Sequence, residues 1–230
     1  MKILATDTGT PYITIALCEP DHVRVEVTIH GARSHSERLL ETVDWVLAQA
    51  DCSLEDVDLL ALSIGPGSFT GLRVGAAAWK GLAFASRIPL VAVPTLDALT
   101  RLVPVHNGLV CPLLDARMGE VFGALYRFQD GEREKLTPDR VCPIEELLDA
   151  VNEPVHVFGD GATRYASAIR SLVPDAVFLP ECVGQTRASA VAAEARMLVE
   201  AGASTDAALV SPVYLRKSQA EENREKTTGH

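Results

Sequence analysis

Apolar positions change period several times along the chain, and each change marks an element. Ile3 to Thr6 and Tyr12 to Cys18 are dense in aliphatic and β-branched residues and flank Asp7-Thr8-Gly9-Thr10-Pro11. Asp, Gly and Pro close together make a tight turn, so the two runs predict a hairpin. Val23 to Ile29 alternates apolar and polar residues, as a half-buried strand does. From His35 to Ala50 the period lengthens to about 3.6 residues, with Leu39, Val43, Val46, Leu47 and Ala50 on one stripe. Ser34 stands before it as N-cap, with Glu37 three residues on at capping-box spacing. Val57 to Ile64 has few polar residues, as expected of a strand covered on both faces. Gly65-Pro66-Gly67-Ser68-Phe69-Thr70-Gly71 then forms a loop, and a second helix runs from Thr70 to Ser86. Leu90 to Val93 predicts another buried strand and Thr95 to Leu102 a short helix. The order is βββαβαβα.

The second half repeats that order. Leu109 to Leu114 and Glu120 to Phe128 predict a hairpin around Asp115-Ala116-Arg117-Met118-Gly119, and Glu134 to Val141 a third strand. A helix from Pro143 to Val151, a strand from Val155 to Phe158 and a helix from Ala162 to Leu172 follow. Ala176 to Leu179 predicts a strand and Thr186 to Ala201 an Ala-rich helix. Each copy opens on a strand, an aspartate, a turn and a strand, the mark of internal duplication. The expected division is a lobe at 1–103, a second at 104–205 and a C-terminal segment at 206–230. Lys217 to His230 contains no large aliphatic or aromatic residue, so a frayed tail is expected there.

Composition narrows the classes. The chain has 230 residues, 47% of them hydrophobic but only 5% aromatic, so aliphatic and small side chains must fill the core. Its 21 Lys and Arg face 31 Asp and Glu, a net charge of −10 that argues against holding nucleic acid or an anionic membrane alone. No apolar run approaches a membrane span, and the opening Met-Lys-Ile-Leu-Ala-Thr-Asp lacks the apolar core of a signal peptide. Cys18, Cys52, Cys111, Cys142 and Cys182 are scattered and odd in number, which fits reduced thiols in the cytoplasm.

The Gly65–Gly71 loop follows a buried strand and opens a helix, so its amides and helix dipole could receive an anion. It lacks the Gly-Lys-Ser/Thr of a P-loop, carries Thr70 where a dinucleotide fingerprint needs its third glycine, and does not fit a nucleophile elbow around Ser68. The other reading is a tight turn packed against backbone. Asp7, Thr8, Gly9 and Thr10 carry the same ambiguity, since a small polar hairpin can wrap phosphate or simply turn. The candidate anion loop is therefore Asp7, Thr8, Gly9, Thr10, Gly65, Gly67, Ser68 and Thr70. His22, His30, His35, His106, His156 and His230 form no metal-ligand spacing.

The second helix is apolar nearly all round, with Arg73 and Lys80 sharing one narrow side, so it is expected to be buried nearly all round. Gly71, Gly75 and Gly81 admit a close backbone, and Trp45 falls off the stripe of the preceding helix beside Arg38. These features predict a protein–protein interface, in which aromatics are enriched. The candidate interface is His35, Arg38, Leu39, Trp45, Arg73, Val74, Ala77, Lys80, Gly81 and Phe84; a crowded core is the competing explanation.

Leu62-Ser63-Ile64-Gly65-Pro66-Gly67-Ser68-Phe69-Thr70-Gly71-Leu72-Arg73-Val74-Gly75 resembles the hallmark stretch of the bacterial TsaB (YeaZ) family. So do Asp7-Thr8, His35-Ser36 with Leu39-Leu40, Asp115-Ala116-Arg117-Met118-Gly119-Glu120-Val121-Phe122 and Pro212-Val213-Tyr214-Leu215-Arg216. The resemblance implies an α/β actin-like ATPase fold of the sugar-kinase/Hsp70 superfamily, with two βββαβαβα lobes. It also implies a part in forming N6-threonylcarbamoyladenosine at position 37 of ANN-decoding tRNAs. There a TsaD-type paralogue performs the transfer, the TsaB-like chain is its non-catalytic partner, and a TsaE-type ATPase joins them. A homodimer alone, tRNA contact only through the complex, no required cofactor, and ATP or ADP held by the complex complete the implied picture.

TsaD relatives carry an H-x-x-x-H metal pair after the strand that follows the Gly-Pro-Gly helix. Here Thr95 and Leu99 stand at those places, and neither replaces imidazole; Asp97 between them is a poor ligand alone. The expectation is a scaffold with no catalytic residue and no metal. The alternatives are a phosphotransferase of the same fold using Asp7 and Asp115, a glycoprotease-like peptidase, and a dinucleotide-binding oxidoreductase. The last needs an acidic residue ending the next strand, and Pro94-Thr95 follow Val93 instead.

Overall fold

The computed structural model describes residues 1–30 and 35–216. The expected cap at Ser34, the His35 and Glu37 side chains and the tail from Lys217 lie outside the described residues. The first sheet holds β1 (Ile3–Asp7), β2 (Tyr12–Cys18), β3 (Val23–His30), β4 (Leu59–Ser63) and β5 (Leu90–Val93) in the order β3-β2-β1-β4-β5. β1 to β3 pair antiparallel, whereas β4 and β5 add in parallel.

The second sheet is built from β6 (Gly108–Arg117), β7 (Glu120–Gly123), β8 (Tyr126–Gln129), β9 (Glu132–Lys135), β10 (Arg140–Pro143), β11 (Val155–Phe158) and β12 (Val177–Phe178). Its order β10-β7-β6-β11-β12 repeats the first, with the same change from antiparallel to parallel. The expected strand Glu120 to Phe128 is interrupted, yet one register runs through both pieces: Leu114 faces Phe122 and Gly108 faces Phe128. The expected third strand, Glu134 to Val141, is instead split into β9 and β10 around Leu136–Asp139. Pro138 there has no N–H for a ladder, and the Leu136 and Thr137 amides both turn to the Leu125 carbonyl.

α1 (His35–Gln49) and α2 (Phe69–Ser86) cover one face of the first sheet. Alternation along the strands decides which side chains meet them: Leu4, Ile15, Leu60 and Leu62 point to this face, where Leu39, Val46 and Trp79 pack. Ile3, Ala5, Ala61, Val91 and Val93 point the other way. That face is covered by α7 (Ala188–Glu200) through Ala188, Val191, Ala192 and Ala195. α7 was expected to belong to the second lobe, but the first lobe anchors it. Its Ala188 N–H donates to Thr14 Oγ1 at 3.1 Å, and the Ser189 N–H and hydroxyl donate to Glu26 Oε1 at 2.9 and 2.8 Å.

The exchange is mutual. α3 (Thr95–Leu99) and the 3-10 turn Thr100–Leu102 follow the first sheet, yet Leu96 and Leu99 pack with Val110, Phe122, Tyr126 and Phe158 of the second. α3 and α7 therefore lie against one another between the two sheets. α4 (Ile144–Leu148) and α6 (Ala166–Leu172) cover the outer face of the second sheet, while α5 (Asp160–Arg164) packs on β6. The single helix expected over Ala162 to Leu172 is broken at Tyr165, whose φ of −103° interrupts the helical geometry. Beyond α7 the chain returns to the first lobe, where Ala207 and Val210 enter the core and the Val213 N–H donates to the Ile64 carbonyl at 2.8 Å.

Trp79 is fully buried at the centre of the first core, and its Nε1–H reaches the Leu4 carbonyl. Trp79→Ala is expected to destabilise the chain by about 3–5 kcal/mol. Urea unfolding checks this, and a loss below about 1 kcal/mol would contradict the packing described.

Candidate functional site

The two halves of the candidate anion loop are brought together, but they face each other rather than a ligand. The β1–β2 turn sits on the loop that opens α2: the Ser68 N–H donates to the Gly9 carbonyl at 2.6 Å, and Thr8 Oγ1 donates to the Gly71 carbonyl at 2.8 Å. The glycines permit that approach. A Cβ at Gly71 would lie 1.9 Å from the Thr8 carbonyl oxygen, one at Gly67 2.3 Å from the Gly9 oxygen, and one at Gly75 2.3 Å from Thr8 Oγ1. Ser68 caps α2 by accepting from the Gly71 N–H, and Thr70 lies exposed in the first turn. Gly65, at φ +119°, is clamped by Thr95: its N–H donates to Thr95 Oγ1 and its carbonyl accepts from the Thr95 N–H. Backbone fills the place where a phosphate cradle would need open amides, so these residues do not fit one.

Asp7 is wholly buried beneath the turn. Its Oδ1 accepts from Thr10 Oγ1 at 3.1 Å, and Thr10 is bonded to Thr186 Oγ1 at 2.7 Å; Oδ2 has no hydrogen-bond partner among the described residues. Burial pushes the carboxyl above its ordinary value, partly offset by the hydroxyls of Ser63, Thr10 and Thr186. Asp115 holds the matching place in the second sheet but has a different environment. Its Oδ1 accepts from the Arg117 N–H at 3.0 Å, while Oδ2 lies 3.6 Å from Arg164 Nε and 3.8 Å from Arg117 Nε.

Thr95 and Leu99 are structural. Thr95 is buried and its hydroxyl meets Ser63 Oγ at 2.7 Å, and Leu99 is part of the core between the lobes. Asp97 is engaged by the Tyr126 hydroxyl at 2.6 Å and Lys135 Nζ at 2.8 Å. Among the described residues, no group of three His, Cys, Asp or Glu side chains is placed to hold a metal ion.

The expected interface residues divide. Arg38, Trp45, Arg73, Ala77, Gly81 and Phe84 are exposed, Trp45 by 50% and Phe84 by 60%. Leu39 is corrected to the core, because it belongs to the inward stripe of α1 with Val43 and Val46. Val74 is half-buried against the same core, and Lys80 is half-buried with its ammonium on the Ala208 and Val210 carbonyls. Leu40, 48% exposed, was missed although it lies off the stripe that buries Leu39. The expected all-round burial of α2 is also corrected. Thr70, Arg73, Ala77, Gly81 and Phe84 line an outward stripe, because α1 and the sheet cover only the opposite side.

Gly71→Ala is expected to destabilise the chain by about 1–3 kcal/mol by prying the turn from the helix. Asp7 carries a sign for pH: its proton is held more tightly in the folded chain, so its contribution is present in acid and is lost as pH rises above the unfolded carboxyl value. Asp7→Asn removes that loss. Its stability relative to wild type should rise as pH climbs out of the ordinary carboxyl range towards neutrality; a flat difference in urea midpoints would contradict the assignment.

Residues 29–224 match the family model described as TsaD, tRNA N6-adenosine threonylcarbamoyltransferase. The chain is 30% identical to tRNA threonylcarbamoyladenosine biosynthesis protein TsaB of Bacillus subtilis, over 96% of each chain. YeaZ from Pseudomonas aeruginosa superposes with a TM-score of 0.79 at 29% identity, covering 93% of this chain and 99% of that one. Component A of the Acidaminococcus fermentans (R)-2-hydroxyglutaryl-CoA dehydratase superposes at 0.53 with 10% identity over 87% of this chain and 99% of its own, a likeness of fold alone. Matched nearly end to end by its relatives and built on the duplicated actin-like ATPase fold, the chain belongs to the TsaB (YeaZ) family.

Proposed function

We propose that the chain takes part in forming N6-threonylcarbamoyladenosine on tRNA, at position 37 of ANN-decoding species, as a non-catalytic subunit that docks on a TsaD-type transferase and activates it. The names of the full-length relatives and of the matching family model support the process. The observation that carries the docking role is Gly81. A glycine inside an 18-residue helix costs about 1 kcal/mol relative to alanine. Gly71 and Gly75 spend their freedom on contact with Thr8, but nothing among the described residues lies within 4 Å of a Cβ placed on Gly81. Its small size has no use among the described residues and suits the close approach of another chain. Ala77 and Phe84 flank it on the outward stripe, with Trp45 and Leu40 exposed on the neighbouring helix.

The non-catalytic part of the reading rests on Thr95 and Leu99, which occupy the expected histidine positions and are bound into the hydroxyl network and the core. The same surface would pair two copies when the transferase is absent. The TsaE-type ATPase and tRNA would be met through the assembly, with no cofactor required by this chain and ATP or ADP held by the complex. The five unpaired cysteines suit a cytoplasmic setting, and among the described residues no helix is long and apolar enough to cross a membrane.

Gly81→Ala should raise the stability of the isolated chain by up to about 1 kcal/mol while weakening its pairing with the TsaD-type paralogue. Phe84→Glu should weaken pairing at least tenfold, more than about 1.4 kcal/mol, with stability changed by less than about 0.5 kcal/mol. Light-scattering mass and titration calorimetry of the mixed proteins read both. Unchanged pairing in both variants, or no complex with the wild type, would overturn the docking role.

A further inference from the structure

A cluster of charges is buried where the two lobes meet. Glu194 of α7 has a side chain only 3% exposed and is held from two sides. Arg101, in the 3-10 turn after α3, binds its Oε2 through Nε. Arg133, in β9 of the second sheet, donates from Nη2 to its Oε1 at 2.8 Å. The same guanidinium donates from Nη1 to the Asp97 carbonyl at 2.6 Å and to Thr100 Oγ1 at 2.8 Å. Lys135, also on β9, reaches Asp97 Oδ1, which in addition accepts from the Tyr126 hydroxyl of β8. One hairpin of the second sheet is thus fastened to both helices that lie between the lobes.

The position of this network gives it a consequence beyond stability. Two-lobed proteins respond to ligands by hinge rotation or by the sliding of packed helices. Here the surfaces that would slide are α3 on α7 and both on the β8–β9 hairpin. The surrounding contacts are aliphatic and aromatic and carry no directional bond. The guanidinium and carboxylate bonds are directional, and one register satisfies all of them. A buried ionic triad also adds little net stability over apolar residues of similar volume, and fixing one arrangement is its best-attested use.

We infer that Arg133, with Glu194 and Arg101, is a lock that holds the two lobes at one angle. The test uses spin labels introduced through non-canonical amino acids at Asp21 in the first lobe and Ser171 in the second, both exposed. The full-length labelled chain is diluted into unlabelled chain, and the distance distribution is read by pulsed electron resonance. Wild type should give one narrow distance. Arg133→Met leaves Glu194 paired with Arg101, so it should fold and at least double the width of the distribution. Arg133→Lys keeps the charge without the forked geometry and should broaden it as well; it replaces the methionine variant if that one does not fold. A broad wild-type distribution, or variants as narrow as wild type, would overturn the lock.

Discussion

The contact on which the first lobe depends is between two pieces of backbone: the turn after β1 and the loop that opens α2. With Gly71 directly against the Thr8 carbonyl and Gly67 against that of Gly9, α2 starts at one place and in one direction. Everything on the outward stripe inherits that placement. Ser68 caps the helix, Trp79 anchors its middle on Leu4, and Lys80 ties its outer edge to the returning C-terminal segment. A side chain at Gly67 or Gly71 would need backbone to move, and one at Gly75 would displace the Thr8 side chain.

The same contact explains why a glycine-rich loop after a strand was ambiguous in the sequence. Close approach to a phosphate and close approach to a carbonyl demand the same thing of the residue, the absence of a Cβ. Composition cannot tell the two apart, because the partner lies some sixty residues away in the chain, as with Thr8 and Gly71. Only their juxtaposition shows that the loop's room is already occupied. The duplicated order of strands and helices was legible because it is written in local period. So was the exposure of Trp45, which breaks the stripe of α1. What the period cannot carry is which sheet a helix covers. α3 and α7 are short or rich in alanine, and each follows its own lobe in sequence while packing on the other. Leu39 and Leu40 show the same limit on a smaller scale, since one step along the helix separates the core from the surface.

Exchanging the last helices creates a shared interior, and a shared interior needs a register. Apolar packing between Leu96, Leu99 and the second sheet drives burial but does not select among nearby alignments. The carboxylate of Glu194 does select, because two guanidinium groups from different elements must reach it together. The buried Asp7 belongs to a different class. It has hydroxyls around it and no cation, so burial favours its neutral form, whereas Asp115 in the matching position lies beside two arginines. Duplication preserved the backbone and allowed the surroundings of the two carboxyls to diverge.

The two faces of the first sheet therefore have separate tasks. Its inner face, under α7, is joined to the second lobe by the shared core and the charge network. Its outer face, under α1 and α2, presents Gly81 and Phe84 and is braced only within the first lobe and by the C-terminal segment. A helix held by Thr8, Leu4 and Val210 keeps its outward stripe in place whatever angle the second lobe adopts. For the docking role proposed above that separation is useful: docking needs a rigid stripe, and the bonds that hold this one lie within the first lobe and the C-terminal segment.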